Sequence, residues 1–356
     1  MKNLKKSTKS AFLNYGLVIV FYIVIQILLA GGHLSNSLKG QLLPIISYVI
    51  MALALNLVVG ISGELSLGHA GFMSAGAFTG VIVSTALMGS IGNPGLRLLI
   101  SILAGAAIAG IVGMIIGIPV LRLNGDYLAI VTLAFGEIIK NVLNCLYVGI
   151  DKSGVHISLL DANSLNMDAA TGKMIINGPM GATTVTKHST FLAGILLLLV
   201  VLIVIQNMIA SRTGRAIMAI RDNRIAAEAS GLNVTKYKLI AFVTSAAIAG
   251  SAGVLYALSY STVAPKKFDF NTSILILVFV VLGGIGNMTG SIIAAALLTV
   301  LPEVLRQFQD YRMLVYAIVL ILVMIGTNNE KIRSLITRIG KKNSEEDGGK
   351  EAASHE

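Results

Sequence analysis

The chain has 356 residues, of which 55% are hydrophobic and only 12% are charged, and its mean hydropathy is +0.83. Soluble globular chains carry about 25% charged residues, so this composition excludes a water-soluble fold and indicates lipid as the solvent. The formal net charge is +10. Because the basic residues lie at the ends of apolar runs and are not interleaved with aromatic residues, they are interpreted as topology signals and contacts for anionic lipid, not as a nucleic acid surface.

Eight apolar runs are predicted to cross the membrane, because each has the about 17–23 residues needed to span a bilayer. They lie near 11–30, 42–60, 70–88, 98–120, 127–148, 190–210, 239–260 and 312–327. The first run resembles a signal peptide, but no small-x-small cleavage site follows it cleanly, so it is predicted to be a retained span. The expected class is an all-α polytopic membrane protein with about eight to ten transmembrane segments.

Lysine and arginine residues set the predicted orientation, because they accumulate in cytoplasmic segments. Four lysines precede the first span, six basic and two acidic residues occupy 211–238, and five basic residues closely follow the last span. In 149–188, three lysines balance three aspartates. We therefore expect a basic cytoplasmic N-terminus at 1–10, a transmembrane domain at 11–327 with 149–188 outside and 211–238 inside, and a cytoplasmic tail at 328–356 that is disordered at its end.

A glycine-rich stretch interrupts the apolar segment 272–301. Two apolar arms flank Gly283–Gly290, and two cytoplasmic termini require an even number of crossings. The segment is therefore predicted to form a hairpin, built either from two short helices that re-enter from the outer side or from two tilted full spans. Glycine-rich backbone at membrane depth is tolerated only where it is buried or lines a watery path, so Gly284, Gly286 and Gly290 are candidate pathway residues. Two ordinary helices joined by a cytoplasmic turn are the alternative.

A second polar break, GISGELSLGHAGF, follows the second predicted span. It contributes Gly63, Glu64, Ser66 and His69 as candidate pathway residues, because ionisable groups in such a place usually face a bundle interior or a cavity. Glu64 and His69 are five residues apart and have no third ligand beside them, which disfavours a metal site. The two glycine-rich breaks occupy opposite halves of the chain, as internal repeats do in many transporters.

The sequence lacks the motifs of enzymatic chemistry. No phosphate-binding loop, HExxH, CxxC or GxSxG occurs, so we expect no enzymatic activity and no cofactor of this chain itself. Glu137 and Lys140 are interpreted as an ion pair, with a substrate or proton relay as the alternative. Small residues four apart, such as Gly113 and Gly117, predict closely packed helices. The single cysteine, Cys145, is expected to be a small core residue.

Four stretches together resemble a known family: GISGELSLGHAGF, LNGDYLAIVTLAFGEI, GRAIMAIRDNRIAAEASGLNVTKYKLIAF and VLGGIGNMTGSIIAA. In this order they are similar to the permeases of branched-chain amino acid ABC importers of the LivM type, over about residues 11–327. The resemblance implies a type II-like importer permease fold of ten segments in the bacterial cytoplasmic membrane. It also implies a second homologous permease subunit, two ABC ATPase subunits that use ATP and Mg²⁺, and an extracellular or periplasmic substrate-binding protein.

By this resemblance, the segment from Arg212 to Lys238 is the cytoplasmic loop that docks on the ATPase. Glu228-Ala229-Ser230 stands where the general docking motif has Glu-Ala-Ala, and Gly231 follows directly instead of several residues later. The candidate docking residues are Arg215, Arg221, Arg224, Glu228 and Gly231. Arg221, Arg224 and Glu228 have i, i+3 and i+7 spacing, which predicts that they share one helical face.

Three classes of function remain open. An ATP-driven importer of branched-chain amino acids is favoured, and permeases for urea, short-chain amides or other small solutes are its nearest alternative. An ion-coupled secondary transporter would need acids inside the spans, for which Glu64, Asp126 and Glu137 are the candidates. A channel would need repeated pore-lining motifs, and none is found in the sequence.

Overall fold

The computed structural model describes residues 2–305 apart from 32–34, 124, 152–153, 162, 166, 168–171 and 184, and beyond them Tyr311, Leu314, Ala317, Ile318 and Ile321; for 2–13 and 304 it describes the backbone alone. Most of the predicted span 312–327 and all of the tail 328–356 therefore lie outside the described residues. Residues 1–299 form one compact unit and residues 300–356 a second.

Helices account for most of the described chain. They are α1 Lys2–Ala30, α2 Asn36–Asn56, α3 His69–Ala86, α4 Pro94–Val120, α5 Asp126–Asn144, α6 Phe191–Ala210, α7 Arg212–Asp222, α8 Arg224–Ala229, α9 Val234–Ala257, α10 Phe270–Gly283 and α11 Met288–Val304. A π-helical turn, Leu57–Ser62, continues α2. Helices α1 to α6 and α9 lie at seven of the eight predicted spans, and α10 and α11 are the two arms of the predicted hairpin.

Some of these helices are long enough to cross a membrane, and α10 is not. Four segments of the described chain are long and apolar enough to cross a membrane: Asn36–Ser62, Pro94–Val120, Phe191–Ala210 and Val234–Ala257. Helix α10 has 14 residues, a length of about 21 Å at 1.5 Å per residue, whereas the hydrocarbon core is about 30 Å thick. An upright α10 is therefore too short to span a bilayer.

A small antiparallel sheet corrects the all-α prediction. Its strands are β1 Tyr147–Asp151, β2 Gly154–Ser158 and β3 Lys173–Asn177, in the order β2-β1-β3, and all lie in or beside the segment 149–188. The strands are five residues each and rich in valine and isoleucine, which favour extended backbone. Runs of five residues are too short to be recognised as strands in a sequence dominated by apolar runs of about 20 residues. Cys145 is exposed where α5 ends before β1, so its assignment to the core was wrong.

Helices α3, α4 and α9 form the core through small residues. A Cβ atom built on Gly76 of α3 would lie 2.5 Å from the carbonyl carbon of Gly250 in α9. A Cβ on Gly113 of α4 would lie 2.5 Å from the Cβ of Ala246, also in α9. The rows of small residues therefore let backbones approach within this chain, as predicted. Helix α9 is buried along most of its length.

Candidate functional site

The two glycine-rich breaks contact each other. Gly60, in the π-helical turn, faces Gly286 in the turn between α10 and α11, and a Cβ on Gly60 would lie 2.6 Å from the Cα of Gly286. Gly286 has a φ of +83°, which disfavours any residue with a side chain. The backbone of one break therefore packs on the backbone of the other, and glycine is required on both sides.

Asn56 holds this junction with both ends of its side chain. The residue is fully buried, its Oδ1 accepts a hydrogen bond of 2.8 Å from the amide of Gly286, and its Nδ2 donates one of 3.0 Å to Ser291 Oγ in the first turn of α11. Sequence reasoning missed Asn56. The available signal was a single amide side chain inside an apolar span, a placement that usually marks a buried polar contact.

Glycine residues allow the tight turn between α10 and α11. Gly284 has a φ of +91°, and its carbonyl accepts a hydrogen bond of 2.9 Å from the amide of Asn287. A Cβ built on Gly283 would lie 2.5 Å from the carbonyl carbon of Gly290, so the two arms cross at this pair. The predicted glycine positions thus permit a tight turn and a close crossing, neither of which accommodates larger residues.

The segment 211–238 contains two helices, and this overturns the predicted shared face. Asn223 adopts an extended conformation, with φ −154° and ψ 101°, and its side chain caps α8 by accepting a hydrogen bond of 3.0 Å from the amide of Ala226. Arg221 therefore lies on α7, whereas Arg224 and Glu228 lie on α8. Asparagine prefers such a capping position because its side chain replaces a missing helical acceptor, so it divides the helix.

Gly231 terminates helix α8 shortly after its last residue, Ala229. Gly231 has a φ of +80° and donates a hydrogen bond of 3.0 Å to the carbonyl of Glu228, while Leu232 donates one of 3.1 Å to the carbonyl of Ala227. These two bonds form a Schellman motif, which satisfies the last carbonyls of the helix. Ala227 packs with Ile220 and Val234 in a buried apolar cluster, so the short helix is fixed from one side.

The opposite side of α8 is exposed. Arg224 Nε and Glu228 Oε1 form an ion pair of 3.1 Å in which both side chains are about half exposed. Between them, Ile225 is 81% exposed. Such a pair at i, i+4 stabilises a helix by only about 0.3–0.5 kcal/mol. The exposed isoleucine is the more unusual feature, because it leaves a large apolar side chain outside a well-packed element.

Arg221 connects α7 to the first glycine-rich break. Its Nη1 donates a hydrogen bond of 2.9 Å to the carbonyl of Gly60, and its Nε and Nη2 donate to Asp222 Oδ1 at 3.0 and 2.9 Å. Carbonyls in the last turn of a helix lack intrahelical donors, which makes the Gly60 oxygen a suitable acceptor. Gly63 has a φ of +76°, and a Cβ there would lie 2.6 Å from Arg221 Cγ. Arg215 instead donates to the carbonyl of Ala210, the last residue of α6, at 3.1 Å.

A buried ion pair connects the same break to α9. Glu64, 8% exposed, contacts the ammonium of Lys238, which is 7% exposed and lies in the first turns of α9. Removing either partner would leave the other as an uncompensated buried charge. The break at 60–72 is thus attached to the segment 211–238 at two points, by Arg221 in α7 and by Lys238 in the first turns of α9.

His69 belongs to a buried hydrogen-bond chain. Its Nδ1 lies 3.1 Å from Ser66 Oγ and its Nε2 lies 2.8 Å from Ser245 Oγ. Because Ser245 donates its hydroxyl proton to the carbonyl of Ala54 at 2.5 Å, it accepts from Nε2, and Nδ1 then accepts from Ser66. The chain fixes one neutral tautomer and joins the break to α2 and α9. Among the described residues, no group of three or more His, Cys, Asp or Glu is placed to hold a metal ion.

The chain matches one protein family over most of its length. The family described as "Branched-chain amino acid transport system / permease component" matches residues 37–324. The chain belongs to this family. The matched range includes both glycine-rich breaks and the whole of 211–238.

Two curated relatives resemble the permease over most of its length. The high-affinity branched-chain amino acid transport system permease protein LivM of Salmonella typhimurium is 36% identical over 286 residues, which cover 78% of this chain and 66% of the relative. The LivM protein of Escherichia coli K12 is 34% identical over 312 residues, with the same shares. This chain thus spans slightly less than two thirds of the length of these relatives.

A more distant relative shares only part of the chain. The ribose import permease protein RbsC of Escherichia coli K12 is 28% identical over 129 residues, which cover 34% of this chain and 40% of the relative. No solved structure matches the permease.

Proposed function

We propose that the chain is the membrane-spanning subunit of an ATP-driven importer for branched-chain amino acids in the bacterial cytoplasmic membrane. It works with a second homologous permease subunit, two ABC ATPase subunits that bind ATP and Mg²⁺, and an external binding protein that delivers the substrate. The observation that carries this proposal is helix α8, which is fixed to the bundle on one face and presents an exposed isoleucine on the other.

Helix α8 has the properties of a docking element. Burying the side chain of Ile225 against a partner would contribute about 1.5–3 kcal/mol. The flanking charges of Arg224 and Glu228 would set orientation and specificity more than affinity. The Schellman motif at Gly231 and the cluster around Ala227 hold the helix in shape, so a partner that pushes on α8 moves it as one body.

The contacts of the site give a route from α8 to the hairpin. Helices α7 and α8 share the apolar cluster, because Ile220 lies on α7 and Ala227 on α8. Arg221 continues the route to Gly60, and Gly60 packs on Gly286. In this mechanism, closure of the ATPase subunits moves α7 and α8, and the movement shifts the hairpin between outward-open and inward-open arrangements. In this proposal both termini and 211–238 lie in the cytoplasm, and the shortness of α10 favours a re-entrant hairpin.

An ion-coupled secondary transporter has less support. Such a protein needs acids that bind and release a proton or sodium ion within the bundle. Two of the three candidate acids already have cationic partners: Glu64 pairs with Lys238, and Glu137 pairs with Lys140. Glu137 also accepts a hydrogen bond of 3.1 Å from the amide of Phe270, which gives it a structural role at the start of α10.

Copurification of the ATPase subunits tests the proposal. Ile225→Asp should remove most of the ATPase from the purified complex, because it places a charge in the contact. The matched control is Leu160→Asp in the segment predicted to be external, where the side chain is 86% exposed, and this variant should retain the ATPase. Equal retention of ATPase by both variants would contradict the assignment of α8 as the docking helix.

A further inference from the structure

Among the described residues, Arg97 is a buried cation without a carboxylate partner. It lies in the first turn of α4, after the Asn93 cap and Pro94, and it is 5% exposed. The ion pairs of the described residues do not include it, whereas Lys238, buried to a similar degree, pairs with Glu64. Taking a charge out of water is strongly unfavourable unless an opposite charge and hydrogen bonds compensate it. The charge of Arg97 is therefore incompletely compensated within the described chain.

Its side-chain partner is a neutral histidine. Arg97 Nη2 contacts Nε2 of His188 and lies 3.4 Å from Nδ1 of the same ring. A guanidinium can only donate, so the contacted ring nitrogen accepts and the imidazole is uncharged. Burial, and after it the positive charge of Arg97, hold the pKa of His188 below its ordinary value. The Arg97–His188 pair consequently keeps a net charge of +1.

One donor of the guanidinium has no acceptor within the described part of the chain. Arg97 Nε is buried and makes no hydrogen bond to any described residue. The Nε and Nη2 donors lie on the same edge of a guanidinium and form the fork that binds a carboxylate with two parallel hydrogen bonds. In Arg97, His188 contacts Nη2, and no described residue accepts a hydrogen bond from Nε. The partial positive charge at the start of the 27-residue helix α4 also favours an anion here.

The fold fixes the backbone at both residues of the pair. The amide of His188 donates to the carbonyl of Leu258 at 3.3 Å, and Ser189 Oγ donates to the carbonyl of Leu255 at 3.1 Å, so His188 is attached to the end of α9. On α4, Ser101 Oγ donates to the carbonyl of Arg97 at 2.8 Å. The unpaired Nε donor therefore belongs to a buried arginine on a fixed backbone and not to a mobile surface arginine.

We propose that Arg97 and His188 form a binding site for the α-carboxylate of a free amino acid, bound by the Nε and Nη2 donors of Arg97. The proposal rests on the proposed function, because an amino acid importer must carry this carboxylate through its bundle. His188 ends the segment 149–188, so the site lies at the end of the bundle predicted to be external. The carboxylate supplies the acceptor that Nε lacks and the negative charge that the pair lacks. When the site is empty, neutral His188 accepts the hydrogen bond from Nη2 that the carboxylate accepts when it is bound.

Binding to the purified transporter complex without its binding protein tests the site. The probes are leucine, 4-methylpentanoate, which keeps the carboxylate and lacks the amine, and leucinamide, which lacks the carboxylate. Calorimetry should detect the first two and give at least about tenfold weaker binding for leucinamide, because charge-assisted bonds to the fork are lost. Arg97→Gln should weaken both carboxylates by about the same factor, with Arg97→Lys intermediate because it keeps the charge but not the fork.

Controls separate binding from folding. Arg97→Gln removes an incompletely compensated charge, so its thermal midpoint should not fall, and Arg122→Gln, at an exposed position beyond the other end of α4, should bind as the unaltered complex does. The site is refuted if neither carboxylate binds, if leucinamide binds as tightly as leucine, or if Arg97→Gln leaves the affinity unchanged. Leucine uptake by the unaltered complex tests the proposed function separately. Uptake without Arg97-dependent binding refutes the site alone, and Arg97-dependent binding without uptake refutes the transport assignment alone.

Discussion

The guanidinium of Arg221 donates a hydrogen bond of 2.9 Å to the main-chain carbonyl of Gly60, 161 positions earlier in the chain. This bond joins α7 to the π-helical turn, and Gly60 in that turn also packs against Gly286. Because π-helical turns often occur at functional sites, the contact is a natural point at which movement of α7 reaches the hairpin.

Arg221→Met should uncouple ATP hydrolysis from uptake. The variant keeps the length of the side chain but removes a charge-assisted hydrogen bond of about 1.5–3 kcal/mol. We expect the ATPase subunits to copurify and hydrolyse ATP while substrate uptake by proteoliposomes falls at least about tenfold, the factor that corresponds to the lower end of that range. Lys236→Met, which removes an exposed cation early in α9, is the control and should transport normally. Normal uptake by Arg221→Met would show that the contact transmits nothing.

Gly286→Ala should lower both stability and uptake. A residue with a Cβ in this left-handed conformation costs about 1–2 kcal/mol, and Gly286 lies at the junction with Gly60. Thermal unfolding in detergent and uptake by proteoliposomes measure the two effects. Ile293→Ala, at a half-exposed position on α11, is the control and should change neither by much. An unaltered Gly286→Ala protein would mean that the hairpin turn is free to rearrange.

Lys238→Met should destabilise the protein more than the double replacement with Glu64→Leu. The single variant leaves the carboxylate of Glu64 buried and unpaired, which costs about 3–5 kcal/mol, whereas replacing both partners by apolar residues is often neutral. The free energies of unfolding of the two single variants and the double variant form a mutant cycle. Additive effects in this cycle would show that the ion pair contributes no coupling between the break and α9.

Cysteine labelling should place Lys2, Arg221 and Lys341 in the cytoplasm and Lys173 outside, as the distribution of basic residues predicts. Single cysteines at these positions would be treated with an impermeant thiol reagent in intact cells. The background must carry Cys145→Ala, because the native cysteine is exposed. Labelling at position 221 in intact cells would reverse the orientation and remove α8 from the side of the membrane where ATP is available.

Several features followed from the sequence alone because they depend on one segment at a time. A run of 20 apolar residues is helical in a bilayer whatever its neighbours are, so the positions of α1 to α6 and α9 were predictable. Gly284 and Gly231 mark chain reversals for local steric reasons, and both have positive φ. The family resemblance was likewise predictable, because the four stretches and their order are visible in the sequence itself.

Tertiary structure alone decided which of these segments meet. Gly60 and Gly286, Arg221 and Gly60, and Arg97 and His188 are each separated by at least 91 positions, so no local pattern reports them. The division of 211–238 at Asn223 also escaped a periodicity argument, because a capping side chain outweighs charge spacing in a short exposed helix. The spacing of residues along the sequence describes one helix at a time. A buried polar group, in contrast, bonds to the donor or acceptor that tertiary packing brings to about 3 Å from it.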